Sequence, residues 1–226
     1  MDIFIFCFYD LLLISCILTG CIFVRKGWPL EYKLLIVLSG LTFLVESVQQ
    51  ICFYILNVNI DWLYNCFLPA ECACFIYILY RASVHKVIKR LNLALLMILP
   101  IGAGILYWRY PFFYKINDHV VLLYLFTELI GACSFLTGLL LSQSKTPLTH
   151  QPLFWLAFGL LIYSGLYIVL HSILYDFLYV NLDAKMTKVL GIYYYLNTFT
   201  ANLFMYAGFI ICFIRLHQAK PGQCPG

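Results

Sequence analysis

The sequence predicts an all-α polytopic membrane protein: a seven-transmembrane-helix bundle with its N-terminus outside and its C-terminus in the cytoplasm. Three observations lead there. The 226 residues are 64% apolar and only 11% charged, where a soluble domain carries roughly a quarter charged and about half apolar residues. Apolar residues gather into seven stretches close to the ~20 residues that a spanning helix needs, at about 3–24, 33–56, 61–80, 91–108, 119–142, 152–175 and 189–214. Lys and Arg, finally, fall unevenly between these stretches. The connections are short, so residues 1–226 read as one transmembrane domain, and no internal repeat suggests an inverted-repeat architecture.

Charge sets the orientation. Arg25, Lys26 and Lys33 flank the first connection, Arg81, Lys86, Lys89 and Arg90 the third, Lys145 the fifth, and Arg215 and Lys220 lie beyond the last stretch, ten on one side. Arg109, Lys115, Lys185 and Lys188 make four on the other. The richer side faces the cytoplasm. The formal charge of +4 therefore answers to anionic headgroups, and the bilayer, not nucleic acid, is the expected partner. Trp28, Trp62, Tyr64, Trp108, Tyr110, Trp155 and Tyr179 sit near span ends, as interfacial aromatic belts do.

The first stretch begins Met1-Asp2-Ile3 without a basic leader and is succeeded by Arg25-Lys26, so it reads as an uncleaved helix. Leu18-Thr19-Gly20-Cys21 matches a lipoprotein cleavage pattern, but the flanking charges oppose export of the downstream chain. Asp10 lies in its outer half. The second stretch carries Ser39, Thr42, Glu46, Gln49 and Gln50 at spacings of three and four, hence on one face. In lipid that face must turn inward, either for interhelical hydrogen bonding or for a binding site. The third places Pro69 two residues before Glu71. Proline frees the carbonyl four residues back and tends to kink the helix.

The fourth stretch is read simply as a span. The fifth sets Tyr124, Thr127, Glu128, Gly131, Ser134 and Gly138 along one side, and Ser134 and Gly138 form a small-xxx-small pair suited to close helix contact. In the sixth, Ser164, Tyr167 and His171 share a helical spacing, with Asp176 at the boundary. The seventh adds Tyr193, Tyr194, Tyr195, Asn197, Thr198, Thr200 and Asn202. Nine of the ten cysteines lie in or beside spans without a Cys-x-x-Cys pair, and small packing residues are the expected role; Cys224 lies in the tail.

Asp10, Glu46, Glu71 and Glu128 thus stand within apolar stretches, with Asp176 at the boundary of the sixth, and no Lys or Arg lies in those stretches beyond Lys33 at the edge of the second. A carboxylate in hydrocarbon persists by facing the bundle interior, by pairing or by staying protonated. With the N-terminus outside, Asp10, Glu46, Glu71, Glu128, His171 and Asn197 all fall between mid-membrane and the outer face. That is the geometry of a pocket or vestibule open to the outside.

Several chemistries are excluded. No lysine lies between Lys188 and Arg215 for a retinal Schiff base, and His171 is the one histidine within a span, where bis-histidine haem needs two. No zincin motif, phosphate loop or nucleophile elbow occurs. No cofactor, metal ligand or catalytic residue is assigned.

Pro152-Leu153-Phe154-Trp155, together with Gly159 and Ile162-Tyr163, resembles the sixth span of a group of small uncharacterised bacterial seven-transmembrane-helix proteins. The likeness covers about 145–175. It implies an N-out bundle in the bacterial cytoplasmic membrane, a glutamate in the third span (here Glu71) and association with sensor kinases. More distantly, the chain is similar to the seven-helix input modules of bacterial membrane sensors.

The leading reading is an integral membrane sensor or receptor-like protein, not an enzyme. Glu46, Gln49, Gln50, Glu71, Glu128, His171 and Asn197 would line an outward-facing pocket for a small molecule or cation, with output through a separate cytoplasmic or membrane signalling protein. A proton- or cation-coupled transporter or channel is the first alternative. An intramembrane lipid-modifying enzyme using Glu128 and His171 as an acid–base pair is the second.

Overall fold

The computed structural model describes residues 2–24, 27–109, 118–142, 147–178 and 184–218, with 2–7, 61, 173–178 and 184–188 through their main chain alone. Tyr110, Tyr179, Lys115, Cys224 and the side chain of Asp176 lie outside the described residues. Among those described, the chain is all-helical: α1 (Asp2–Phe23), α2 (Leu30–Tyr54), α3 (Asp61–Ala82), α4 (Lys86–Arg109), α5 (Asp118–Leu141), α6 (Pro152–Leu178) and α7 (Ala184–Gln218), with a 3-10 turn at Leu148–His150. Six helices, α2 to α7, are long and apolar enough to cross a membrane, and α1 adds an apolar segment over Phe8–Phe23.

Several helices outrun their apolar stretches. α4 begins at Lys86 rather than near 91, and α7 reaches Gln218 rather than 214. Backbone hydrogen bonding continues past the point where side chains turn polar, so hydropathy marks the hydrocarbon slab and not the helix end. Pro29 precedes the first turn of α2, where Glu31 favours the positive helix terminus. The α2–α3 connection turns at Asn57, with φ 53°, a left-handed conformation that Asn tolerates.

The exterior is apolar and the interior partly polar. On α2, Val37, Leu41, Leu44 and Val48 face outward, whereas Ser39 and Thr42 are buried. α4 does the same with Met97, Ile98, Ile101 and Ile105. Lipid tails are as apolar as these side chains, so burial alone does not hold the helices together; close packing and hydrogen bonds do. Several buried hydroxyls satisfy themselves locally. Ser39, Thr127 and Ser164 each donate to the carbonyl four residues back, at 2.9, 2.7 and 2.6 Å.

Neighbour relations give the layout. α1, α2, α3, α5, α6 and α7 form a closed ring in that order, and α4 packs outside it against α3 and α5. Pro69 explains part of that docking. It leaves the Asn65 carbonyl without its helical donor, and the Tyr107 hydroxyl of α4 donates to that carbonyl. Tyr107 also lies 3.1 Å from the Tyr124 hydroxyl of α5.

Glycines clamp one half of the ring. A Cβ on Gly208 of α7 would stand 2.6 Å from the Trp155 carbonyl oxygen of α6, and one on Gly159 would stand 3.0 Å from the Phe204 carbonyl. Gly20 of α1 meets Ile36 and Phe213 in the same way, and Gly138 of α5 meets Ile88 of α4. All four lie toward the end bearing the basic connections. Around them packs the main core, with Leu13, Leu35, Phe75, Leu156, Phe209 and Phe213 each at most 1% exposed. At this end Glu31 of α2 pairs with Arg81 of α3 at 3.0 Å. Asn92 of α4, fully buried, receives the Ser134 hydroxyl at 3.2 Å and donates to Ser83 at 3.4 Å.

Gly208→Ala is expected to destabilise the bundle by about 1–3 kcal/mol, the usual range for an overpacked contact, because the obstacle is a backbone oxygen. Gly165→Ala, which meets nothing within 4 Å, is expected to leave melting unchanged or higher. Equal melting temperatures for the two variants in the same detergent would contradict the clamp.

Candidate functional site

Opposite the clamped end the ring opens into a cavity of about 460 Å³. Every ring helix contributes to its wall: α1 through Phe8, Tyr9 and Leu12, α2 through Glu46 to Tyr54, α3 through Tyr64, Leu68 and Glu71, α5 through Val121 to Glu128. α6 adds Tyr163, Tyr167 and His171, and α7 adds Tyr194, Thr198, Phe199 and Asn202. The odd helices use their N-terminal halves and the even helices their C-terminal halves, so the wall lies at one end of the bundle. At 1.5 Å per residue, Glu71 and Glu128 stand ~15 Å along their helices and Glu46 ~12 Å, close to the middle of a ~30 Å hydrocarbon layer.

Hydrogen bonds tie the carboxyl groups to neighbouring helices. The Tyr9 hydroxyl donates to Glu46 Oε1 at 3.2 Å and lies 3.1 Å from the Tyr206 hydroxyl. That makes a relay from buried α7 through α1 to α2, and Tyr64 of α3 approaches the same carboxyl group. Thr42 Oγ1 lies 3.2 Å from Glu71 Oε1 and 3.0 Å from the Leu38 carbonyl. One hydroxyl proton serves only one of these acceptors at a time. Across the cavity, Asn202 donates to the Tyr167 hydroxyl at 3.2 Å and to the Thr198 carbonyl at 3.0 Å. His171 stacks on Tyr167 and turns Nδ1 toward Asp118 of α5, 3.8 Å away.

Some polar atoms of the wall remain unanswered. Glu128 Oε2, Gln50 Nε2 and Thr198 Oγ1 are buried without a hydrogen bond of good geometry among the described residues, with Cys72 near Glu128, Asp10 near Gln50, and Tyr167 and Tyr194 near Thr198. Glu128 is only 5% exposed. An orphaned carboxylate oxygen at this depth is costly, and all three atoms belong to cavity-lining residues.

The structure brings together six of the seven residues expected from the sequence: Glu46, Gln49, Gln50, Glu71, Glu128 and His171 line the one cavity. Asn197 does not. The α7 positions that reach the cavity are 194, 198, 199 and 202, and Asn197 is turned about 100° from Thr198, away from Phe199. Tyr64, expected in an interfacial belt, instead lines the cavity, while Trp62 and Trp108 are exposed at the span ends. Asp10 stands just behind the wall, near Gln50, with Oδ1 buried and unpartnered. Wall residues that the sequence reading did not connect with a polar interior include Phe8, Tyr9, Tyr54 and Tyr163. A signal existed for α6, since 163, 167 and 171 repeat every four residues.

Among the described residues, no three His, Cys, Asp or Glu side chains converge as metal ligands. The carboxyl groups are distributed around the cavity rather than focused on a point. Fold and site thus define a helical bundle with six membrane-capable helices and an aromatic, carboxylate-bearing cavity at one end. No family model, curated protein or solved structure matches the chain.

Replacing Glu128 by Met, of similar volume, is expected to raise stability by about 1–3 kcal/mol by removing the orphaned oxygen. Tyr9→Phe is expected to lower it by about 1 kcal/mol through loss of the three-residue relay. Thermal unfolding in one detergent decides both. A loss of stability in Glu128→Met would mean that the carboxyl group is structural.

Proposed function

We propose that this protein is a receptor-like membrane sensor: seven spanning helices, N-terminus outside, that bind a small ligand in the cavity and act through a separate partner protein. The observation that carries the reading is the one-ended cavity. Its polar wall stops at mid-depth, and beneath it the ring is filled by Leu35, Leu38, Phe75, Phe209 and Phe213, none more than 3% exposed. A transported solute or proton needs a second polar half-path, and the buried residues below the floor are largely apolar. Volume supports binding too, since ligand pockets run from about 300 to 1,000 Å³.

The ten-to-four distribution of Lys and Arg favours a cavity mouth outside the cell and a clamped half toward the cytoplasm. There the basic connections form the surface that a cytoplasmic or membrane-bound signalling protein would meet. Trp155 and Gly159 sit at the α6–α7 clamp, where a shift of α7 at the cavity would be passed inward.

Native mass spectrometry of the protein released gently from its own membrane is expected to show a co-purified protein partner. Liposomes carrying the protein alone are expected to pass protons and K⁺ no faster than empty ones. Flux that disappears in Glu46→Gln or Glu71→Gln, together with no partner, would replace this reading with a coupled transporter.

A further inference from the structure

The composition of the cavity wall singles out one class of ligand. Phe and Tyr make up ten of its 22 described lining residues, Glu supplies three, and neither Lys nor Arg is among them. Ring faces carry negative potential and attract cations, most strongly where water is excluded. Glu71 is within electrostatic range of both Glu46 and Glu128, so an anion entering the cavity meets carboxyl groups on three successive ring helices. Glu128 lines the cavity on a side chain more than nine-tenths buried, near the Cys72 thiol and with no Lys or Arg beside it in the wall.

Size and spread separate the kinds of cation. An inorganic ion wants its oxygens gathered within about 2.0–2.6 Å of one centre, and the described carboxyl groups do not gather that way. An organic ammonium with an apolar body, by contrast, would extend over several ring faces while its charge sits among the carboxyl groups. We propose that the cavity binds an organic cation, an amine or quaternary ammonium compound bearing an aromatic or alkyl group, with Glu46, Glu71 and Glu128 as its counter-charges. The proposal rests on the ligand-binding reading of the cavity and names the chemistry of the molecule that enters.

Glu71 is the residue best placed to rank ligands by charge, because it lies between the other two carboxyl groups. Thr42 holds its Oε1 from below at 3.2 Å, which keeps the group aimed upward without a cationic partner from the protein. Tyr163 and Tyr167, with ring centroids 4.7 Å apart, form an aromatic wall on α6. His171 above them pairs with Asp118.

The test uses the full chain in lipid nanodiscs and three probes of similar shape: benzyltrimethylammonium, its uncharged carbon analogue neopentylbenzene, and benzenesulfonate. Benzyltrimethylammonium is expected to raise the melting temperature in a saturable way, and the other two are not. Glu71→Gln and Glu128→Gln are expected to weaken its binding at least tenfold, while Asp118→Asn, away from the carboxyl trio, leaves it within about twofold. Equal stabilisation by neopentylbenzene, unaffected by the Glu→Gln changes, would overturn the cation proposal yet leave a ligand-binding cavity standing. Displacement of the probe by micromolar Ca²⁺ or Mn²⁺ would overturn it in favour of an inorganic ion. If no probe binds, both this proposal and the binding reading fall. The wild-type comparison among probes decides the matter even where a variant does not fold.

Discussion

Hydrocarbon offers no hydrogen-bond partner, and the arrangement of this bundle depends on how its polar side chains meet that constraint. Hydroxyl groups do so within their own helix, by donating one turn back, as Ser39, Thr127 and Ser164 do. The Asn202 amide also finds such an outlet, in the Thr198 carbonyl, but carboxylate groups do not. They must be answered from another helix, or from something that is not protein. Glu46 and Glu71 are answered in part by Tyr9 and Thr42, whereas Glu128 Oε2 and Gln50 Nε2 are not.

The shape of the ring reflects side-chain size along each helix. Gly159 and Gly208 let the α6 and α7 backbones approach at one end, and large apolar residues fill the remaining space. Toward the other end the interior positions are Tyr, Phe, Gln and Glu, which prop the helices apart around the cavity. Gly102 on α4 is informative here. A Cβ there would stand 2.9 Å from a Leu123 methyl of α5, near the open end but on the outside of the ring, so its absence lets α4 dock without narrowing the cavity. Pro69 contributes to the same docking, since the carbonyl it frees is taken by Tyr107. The open half is thus buttressed from outside and left hollow within, so the cavity is a built feature of the ring.

Much of this architecture is legible in the sequence, for identifiable reasons. The α2 stripe is readable because Ser39, Thr42, Glu46, Gln49 and Gln50 contrast with an otherwise apolar helix. Depth is readable because each carboxylate can be counted from its span end. Lateral position is not, and two assignments differ between sequence and fold for that reason. α7 has polar residues on several faces between 193 and 202, so nothing in the spacing says that Thr198 and Asn202, rather than Asn197, meet the cavity. Tyr64 sits near a span end and carries a polar tip, which describes a belt residue and a cavity residue equally well. Glu31 carries no signal in the sequence that marks it for burial, and in the fold it is 8% exposed against Arg81. The exclusion of α4 from the ring has no sequence signature, since its apolar residues look the same facing lipid or facing a neighbour.

The central claim is that the polar cavity reaches one side of the membrane and ends at a dry floor. It is tested most directly by thiol accessibility in a chain whose ten native cysteines have been replaced. Single cysteines would be placed in the wall, at Gln49 or Thr198, and in the floor, at Leu38 or Phe209, and a membrane-impermeant thiol reagent applied to either face. The account predicts that the wall thiols react from the outer face only and the floor thiols from neither. Wall thiols reacting from the cytoplasmic face, or floor thiols reacting at all, would contradict it.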